Sequence, residues 1–288
     1  MNVLLTGATG FLGRHIADIL VEGGHSVRMV SRSHGINFRT MLAPEDWLPL
    51  LDGIDAVINC VGIIGENRTQ RFETIHTLAP IALFKACKLE GIRRVIQISA
   101  IGADSHAFTS YHLSKLAADN MLRNLDIDSF ILRPSLIYGK GGTSTAMLMR
   151  LARLPLIPAV GDGNQLLQPI HVGDVAAIVK NALTEKNTGQ TLDIVGSEII
   201  SYTSWLQTLR QAQGLRPAQV IHIPTVVAAA GMRVGSYFSP VLHPDNLRML
   251  QASYIADVGQ TVEILGRLPK RVEAGLFLSY ISANGEIV

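Results

Sequence analysis

The amino terminus constrains the fold more than any other part of the chain. Val3–Thr6 reads as a short strand, runs directly into a glycine-rich segment and is followed by an amphipathic stretch, Phe11–Glu22. Glycines between a strand and a helix permit a tight turn, close approach of the backbone to a bound diphosphate, and close packing of helix on strand. The helix N-terminus adds free N–H groups and a positive dipole. This pattern predicts a dinucleotide-binding turn made by Gly7, Thr9, Gly10, Phe11, Leu12 and Gly13.

Short apolar runs alternate with longer amphipathic ones, which is typical of βαβ units around a parallel sheet. The predicted strands are Val3–Thr6, Val27–Ser31, Ala56–Cys60, Val95–Ser99, Phe130–Leu132 and Thr191–Val195, with a weaker one near Ile36–Arg39. Helices are predicted at Phe11–Glu22, Thr74–Leu89, His112–Arg123 and Val175–Leu183. The expected fold class is therefore α/β, a Rossmann-type doubly wound parallel sheet.

Glycine and proline clusters after Pro134 mark a change of organisation. We predict a dinucleotide-binding domain over residues 1–140, with 166–196 returning to it, and a smaller, mostly helical lobe on the substrate side over residues 197–288. The helices predicted for this lobe are Tyr202–Gln213, Thr225–Val234, Asp245–Gln251 and Lys270–Ser282.

Composition excludes several classes of function. The 25 Lys and Arg against 23 Asp and Glu give a net charge of +2, so nucleic acid is not an expected partner. The longest run without a charged residue, Pro217–Met232, is shorter than the about 20 apolar residues of a membrane-spanning helix. The chain starts on a strand without a leader pattern, so a cytoplasmic location is expected. Cys60 and Cys87 lack metal-ligand spacing, and no metal site is predicted.

The end of the second predicted strand bears on the choice of cofactor. Ser31-Arg32 stands where NAD-binding proteins usually carry an acid that binds the adenine-ribose 2′-hydroxyl. A guanidinium can hold a 2′-phosphate by charge-assisted hydrogen bonds, and Arg14 in the first helical turn offers a second positive charge. We therefore expect NADP(H), with NAD(H) as the alternative if Arg32 is only a solvated loop residue.

The Thr6–Gly13 spacing resembles the short-chain dehydrogenase/reductase superfamily, in its extended and atypical branches. Further stretches carry the resemblance in the same order along the chain: Asn59–Gly62, Ser99, Tyr111-His112-Leu113-Ser114-Lys115, Arg133–Gly139 and Pro169–Val175. The chain is most similar to the atypical group that includes the dinucleotide-carrying accessory subunit of respiratory complex I, and to NAD-dependent epimerase/dehydratase-like proteins. Some members of that group bind the cofactor without known turnover.

The resemblance implies a catalytic centre. Tyr111 and Lys115 are four residues apart and share one face of a helix. Lys115 is expected to bind the nicotinamide ribose and to lower the pKa of Tyr111, which would exchange a proton with the substrate oxygen. Ser99 is the expected catalytic hydroxyl, although the superfamily often carries it one or two residues further on, at Ala100 or Ile101 here.

The resemblance also implies the remaining cofactor contacts. In addition to the glycine turn, Ser31 and Arg32, these are Cys60, Val61, Gly62, Ser99, Tyr111, Lys115, Pro134 and Ser135. His76 stands where the superfamily places an asparagine that orients the lysine. It either substitutes for that asparagine or is an ordinary core histidine.

Three functions follow from these residues. The first is an NADP(H)-dependent oxidoreductase acting at a carbon–oxygen centre of a largely apolar small molecule. The second is a non-catalytic dinucleotide-bound structural or redox-sensing protein, and the third is a nucleotide-sugar epimerase or dehydratase. Charged residues make up only 17% of the chain, so part of the surface is expected to be covered. A peripheral membrane, a protein partner or a second copy in a homo-oligomer are the alternatives to an apolar substrate.

Overall fold

Apolar and amphipathic runs alternate along the first two thirds of the chain and form strands and helices in turn. The computed structural model describes residues 1–139, 141–236 and 242–273. The strands are β1 (Asn2–Thr6), β2 (Ser26–Val30), β3 (Ala56–Asn59), β4 (Arg94–Ile98), β5 (Asp128–Pro134), β6 (Ile137–Tyr138), β7 (Leu156–Val160), β8 (Leu166–Leu167), β9 (Ile170–His171), β10 (Gln190–Ile194), β11 (Ile200–Ser201) and β12 (Gln219–Ile223). The helices are α1 (Phe11–Glu22), α2 (Pro44–Leu51), α3 (Ala79–Leu89), α4 (Ser110–Arg123), α5 (Thr143–Ala152), α6 (Val172–Ala182), α7 (Tyr202–Ala212), α8 (Thr225–Gly235), α9 (Pro244–Gln251) and α10 (Gly259–Leu265).

One parallel sheet organises the first part of the molecule. Its strands follow the order β10–β5–β4–β3–β1–β2, and each neighbouring pair is parallel. This order confirms the predicted Rossmann-type doubly wound fold. Because β1 pairs with β2 on one side and β3 on the other, the chain order reverses here, and a crevice opens outside the carboxyl ends of β1 and β3.

Helices cover both faces of the sheet, which explains why its strands are almost wholly apolar. On one face, α1 packs beside α6 and buries Leu12, Ile16 and Leu20, which recur at helical spacing. On the other face, α2 and α3 contribute the fully buried rings of Trp47 and Phe84.

A separate apolar cluster forms around Trp205 and Tyr138, with contributions from α5, α7 and β7. Strand β12 joins this cluster by pairing in parallel with β7. The described part of the predicted lobe is therefore not purely helical. The proposed division into residues 1–140 with 166–196, and 197–288, stays a prediction, although β10 does pair with β5.

Three predicted elements differ from the structure. Ile36–Arg39 is a turn rather than a strand, because Asn37 accepts a hydrogen bond from the Arg39 N–H while Phe38 packs edge-on against Trp47. The predicted helix Thr74–Leu89 begins as a π-helical turn, Glu73–Leu78. Pro80 accounts for this, since it lacks the N–H that an α-helix would direct to the carbonyl of residue 76.

The predicted helix Lys270–Ser282 lies mostly outside the described residues, and its described part, residues 270–273, is not helical. Among the described residues, no helix combines the length and the apolar character needed to cross a membrane.

Candidate functional site

The turn after β1 requires glycine at two points. Gly7 has a φ of +69°, and a Cβ there would lie 2.9 Å from the carbonyl oxygen of Cys60. A Cβ on Gly13 would lie 2.1 Å from the carbonyl oxygen of Gly7. The turn therefore lies directly against the end of β3, and α1 begins close to the strand. No side chain caps α1 at Gly10, so its first N–H groups remain available to an anion. This geometry fits the phosphates of a dinucleotide.

A cleft of about 240 Å³ opens where the chain order of the sheet reverses. Many of the predicted cofactor residues line it: Gly7, Thr9, Gly10, Ser31, Arg32, Cys60, Val61 and Gly62. The other predicted cofactor residues do not line it: Phe11, Leu12, Gly13, Ser99, Tyr111, Lys115, Pro134 and Ser135.

Part of the cleft wall comes from residues that sequence reasoning missed. These are Ile36, Asn37, Phe38, Ile63, Gln70 and Ile75. The alternation of the apolar Ile36 and Phe38 with the polar Asn37 was the available signal, but that period predicted a strand. In the structure, residues 36–38 form a wall of the cleft beside Arg32. A flat ring of a bound ligand could pack against the apolar side chains of this wall.

Polar side chains gather at the end of β2. The Ser31 hydroxyl oxygen lies 2.8 Å from the Ser33 hydroxyl and 2.7 Å from Nδ1 of His34. Arg32 is exposed at the cleft, and its guanidinium has no hydrogen bond or ion pair among the described residues. Arg14, the second expected charge, extends to the loop at Gly141. A Cβ atom added to Gly141 would lie 2.8 Å from Nη2 of Arg14. Arg32 is thus the cation free to meet an anionic group in this cleft.

Lys115 is buried at the carboxyl edge of the sheet. Only 4% of the residue is exposed, and its ammonium donates to the carbonyl of Ile98 at 2.9 Å and that of Val61 at 3.4 Å. Burial lowers the pKa of Lys115, whereas the Asp119 carboxylate opposes that shift. The side chain therefore joins the ends of β3 and β4, beside the Val61–Gly62 wall of the cleft.

Tyr111 lies one helical turn from Lys115, in an aromatic cluster. Its ring packs edge-on against Phe72, His76 and His112 at centroid distances of 5.8, 5.4 and 5.3 Å. The expectation that Lys115 lowers the pKa of Tyr111 is wrong. Burial, with a contribution from the Asp119 carboxylate, raises this pKa to about 12, while the ammonium is engaged with backbone carbonyls. The phenol is consequently protonated at neutral pH.

His76 holds the backbone next to this pair. Its Nε2 atom accepts from the Ile63 N–H at 3.0 Å, so the proton resides on Nδ1, which lies 3.0 Å from the Ser114 hydroxyl. Burial and the charge of Lys115 keep the pKa of His76 well below its usual value. His76 thus acts as a neutral core histidine that ties the segment after β3 to α4, and it makes no hydrogen bond to Lys115 in the described part of the chain.

The hydroxyl of Ser99 is bonded to a carboxylate. Its hydroxyl donates to the Asp119 carboxylate at 2.5 Å, and only 3% of the residue is exposed. The second oxygen of Asp119 is buried without a hydrogen-bond partner among the described residues. A catalytic role for Ser99 stays a prediction, and it would require the hydroxyl to leave a strong charge-assisted hydrogen bond. Asp119 was not anticipated, because nothing in the sequence links it to a residue twenty positions earlier.

Pro134 is the last residue of β5, and Ser135 follows it at the carboxyl edge of the sheet. The Ser135 hydroxyl donates to the Gln168 carbonyl at 2.5 Å, and the Pro134 carbonyl accepts from the Ile101 N–H at 3.1 Å. Both residues are buried. Their contacts brace the loop after β4 against the chain that leads to β9.

The fold and the site together are those of a dinucleotide-binding α/β protein. The sheet is doubly wound, the glycine turn fits the phosphates of a dinucleotide, and a buried lysine lies one helical turn from a tyrosine. A family model described as the NAD dependent epimerase/dehydratase family matches residues 3–195. The chain belongs to that family, which confirms the resemblance described above. Family membership and fold together support binding of an NAD(P) dinucleotide, without distinguishing NADP from NAD.

Particular relatives extend this finding. A ceramide reductase from Caulobacter vibrioides is 30% identical over 187 residues, covering 61% of this chain and 58% of that protein. Subunit 9 of the NADH dehydrogenase [ubiquinone] 1 alpha subcomplex from Arabidopsis thaliana is 28% identical over 218 residues, covering 68% of this chain and 54% of that protein. The chain thus matches little more than half the length of these two relatives.

Solved structures agree on the fold. The protein MoeE5, solved with UDP-glucuronic acid and NAD, has a TM-score of 0.73 at 20% identity, covering 97% of this chain and 98% of that one. At this level of identity the likeness establishes the fold alone.

Proposed function

We propose that this protein is an NADP(H)-dependent oxidoreductase that reduces a carbon–oxygen centre of a largely apolar small molecule. The observation that carries the proposal is the Tyr111–Lys115 pair at the carboxyl edge of the sheet, with the Lys115 ammonium between the ends of β3 and β4. A lysine is rarely buried this deeply unless it has bonded partners or a function.

The residues present fit a nicotinamide dinucleotide. The Gly7–Gly13 turn and the N-terminus of α1 would hold its phosphates, Arg32 its adenosine end, and Lys115 its nicotinamide ribose. When bound, such a cofactor supplies the hydride for reduction. Lys115 would orient the ribose, and Val61 and Ile63 would line the cleft beside it.

Tyr111 would serve as the proton donor for a reduction. Because its pKa is raised to about 12, its oxygen carries a proton at neutral pH and can donate it to a developing alkoxide. A general base for the reverse reaction would need the phenolate, which burial disfavours. An apolar substrate is supported by the absence of Asp and Glu from residues 199–244, and by a relative named for the reduction of ceramide.

The test is NADPH oxidation with a panel of carbonyl and quinone substrates. We expect turnover with an apolar member of the panel. Tyr111→Phe should abolish that turnover and leave NADPH affinity nearly unchanged, whereas Lys115→Ala should weaken both. Undiminished turnover by Tyr111→Phe would refute the assigned chemistry.

A non-catalytic dinucleotide-binding protein is the second candidate. The hydrogen bond from Ser99 to Asp119, together with Ala100 and Ile101 at the following positions, leaves no serine hydroxyl to polarise a carbonyl next to the strand end. This candidate predicts tight NADPH binding with no turnover on any member of the panel.

A further inference from the structure

The short parallel ribbon of β7 and β12 is apolar on both of its faces. Pro158 lies opposite Ile221 in the pairing, while Ile157 and Val220 pack inward against the Trp205 cluster. Alternate residues of a strand point to opposite faces, so Pro158, Ile221 and Leu156 turn outward. An outward face of a ribbon at the surface of a protein is ordinarily polar. Here the described part of the chain provides no cover for it.

Exposed apolar side chains continue beyond both ends of this ribbon. Arg210 holds the two strand starts together by donating to the carbonyls of Leu154 and Arg216. At the other end, α8 follows β12 after a single residue. We define the ribbon surface as six apolar residues, whose exposed fractions run from 36% at Leu215 to 80% at Val226: Leu154, Leu156, Leu215, Ile221, Val226 and Val227. Apolar patches of this kind mark interaction sites.

Arginines are the only residues with a permanent charge on the elements that form and flank the ribbon surface. Residues 141–161 and 199–244, which supply α5, β7, α7, β12 and α8, contain five arginines and neither aspartate nor glutamate. Arg150, Arg153, Arg216 and Arg233 are exposed. Three acids border these ranges: Asp162, which is exposed at the end of β7 and accepts hydrogen bonds from Asn164, Glu198, which lies 3.6 Å from Arg271, and Asp245, which lies 3.6 Å from Arg248. The chain as a whole carries nearly equal numbers of acids and bases, so this segregation of charge is local.

We infer that the ribbon surface is a docking site for the surface of an anionic lipid bilayer. Apolar side chains enter the boundary between headgroups and acyl chains, while flanking arginines meet lipid phosphates. Charge complementarity selects this partner, because every exposed charge on these elements is positive. The inference is independent of the cofactor chemistry proposed above, since the surface includes no residue assigned to that chemistry.

Sedimentation with vesicles tests the inference in the full chain. We expect the protein to pellet at low salt with vesicles of phosphatidylcholine containing about one third phosphatidylglycerol, and to pellet far less with phosphatidylcholine alone. Added salt should weaken the binding. The double variant Val226→Glu/Val227→Glu should lower the partition coefficient at least about tenfold, and Arg153→Gln or Arg216→Gln about fivefold each, equivalent to about 1 kcal/mol per arginine.

A matched control separates the surface from exposed apolar residues in general. Leu89→Glu alters a side chain that is 68% exposed on α3, and it should leave vesicle binding unchanged. Unaltered thermal unfolding of each variant verifies the fold. Failure of the chain to pellet with anionic vesicles, or full binding by the double variant, would overturn the inference. So would a concentration-dependent dimer that the double variant dissociates without any vesicle binding, because the surface would then join two copies of this chain.

Discussion

Single residues carry both the proposed cofactor preference and the proposed proton chemistry of this site. The end of β2 carries Ser31, Arg32, Ser33 and His34 where an acid would select NAD, and Arg32 has no partner among the described residues. A 2′-phosphate would give that guanidinium a charge-assisted contact, whereas a 2′-hydroxyl gives it little.

NADPH should therefore bind more tightly than NADH, and Arg32→Ala should remove most of the difference. The expected loss is about 1.5–3 kcal/mol, confined to NADPH. Calorimetric titration of both cofactors measures it. Arg93→Ala is the control, because Arg93 pairs with Asp55 at the opposite end of the sheet. Equal affinities of the unmodified chain for the two cofactors would contradict the assignment.

The raised pKa of Tyr111 makes a distinct prediction about pH. A phenol with a pKa of about 12 stays protonated through the neutral range, so kcat/KM for reduction should show no limb from Tyr111 between about pH 7 and pH 10. The pH profile of kcat/KM for the unmodified protein provides the check. A limb from Tyr111 within that range would contradict the prediction, because kcat/KM reports the titratable groups of the protein before substrate binds.

At the scale of elements, α1 approaches the turn after β1 so closely that position 13 has no room for a side chain. Gly13→Ala would place a methyl group 2.1 Å from the Gly7 carbonyl oxygen, so the helix must move away from the strand. Because the proposed phosphate site includes that helix N-terminus, we expect dinucleotide affinity to fall at least about tenfold and the free energy of unfolding to fall by about 2–4 kcal/mol.

Gly231→Ala in α8 is the matched control for this substitution. A Cβ at Gly231 meets nothing within 4 Å, and alanine favours a helix interior by about 0.5–1 kcal/mol. The control should leave dinucleotide affinity unchanged and slightly raise the free energy of unfolding. Chemical denaturation and cofactor titration of both variants measure the two quantities. Unchanged cofactor binding by Gly13→Ala would show that the phosphates do not use α1.

Sequence reasoning recovers elements whose signal is local. The glycine turn, the parallel sheet and the pairing of Tyr111 with Lys115 on one helix all follow from spacing within a few residues. It fails where the deciding contact is distant along the chain. Ser99 meets Asp119 through packing of α4 on the sheet, and β12 pairs with a strand some sixty residues earlier. Neither of these two contacts produces a periodic pattern in the sequence. The strand predicted around Phe38 is wrong because the burial of Phe38 comes from its contact with Trp47.

For the whole molecule, binding and catalysis are separable measurements. If the cleft takes NADPH in the folded state alone, NADPH at about one hundred times its Kd should raise the free energy of unfolding by about 2.7 kcal/mol. Thermal unfolding with and without NADPH measures this, and Gly13→Ala, with an affinity at least about tenfold lower, should show an increase of about 1.4 kcal/mol or less at the same NADPH concentration. A chain that is stabilised in this way yet turns over no substrate fits the second candidate function, whereas absence of stabilisation argues against both.

The position of β10 also determines how the chain assembles during synthesis. Strand β5 ends at Pro134, but its outer neighbour β10 does not begin until Gln190. A nascent chain that has emerged only as far as Gly189 therefore carries five sheet strands with the apolar strand β5 unprotected at one edge. Such an edge is a template for intermolecular pairing. The interval during which the ribosome adds α5, α6 and the segments between them is the period of greatest risk of aggregation, and rare codons or chaperone binding there should influence the yield of folded protein.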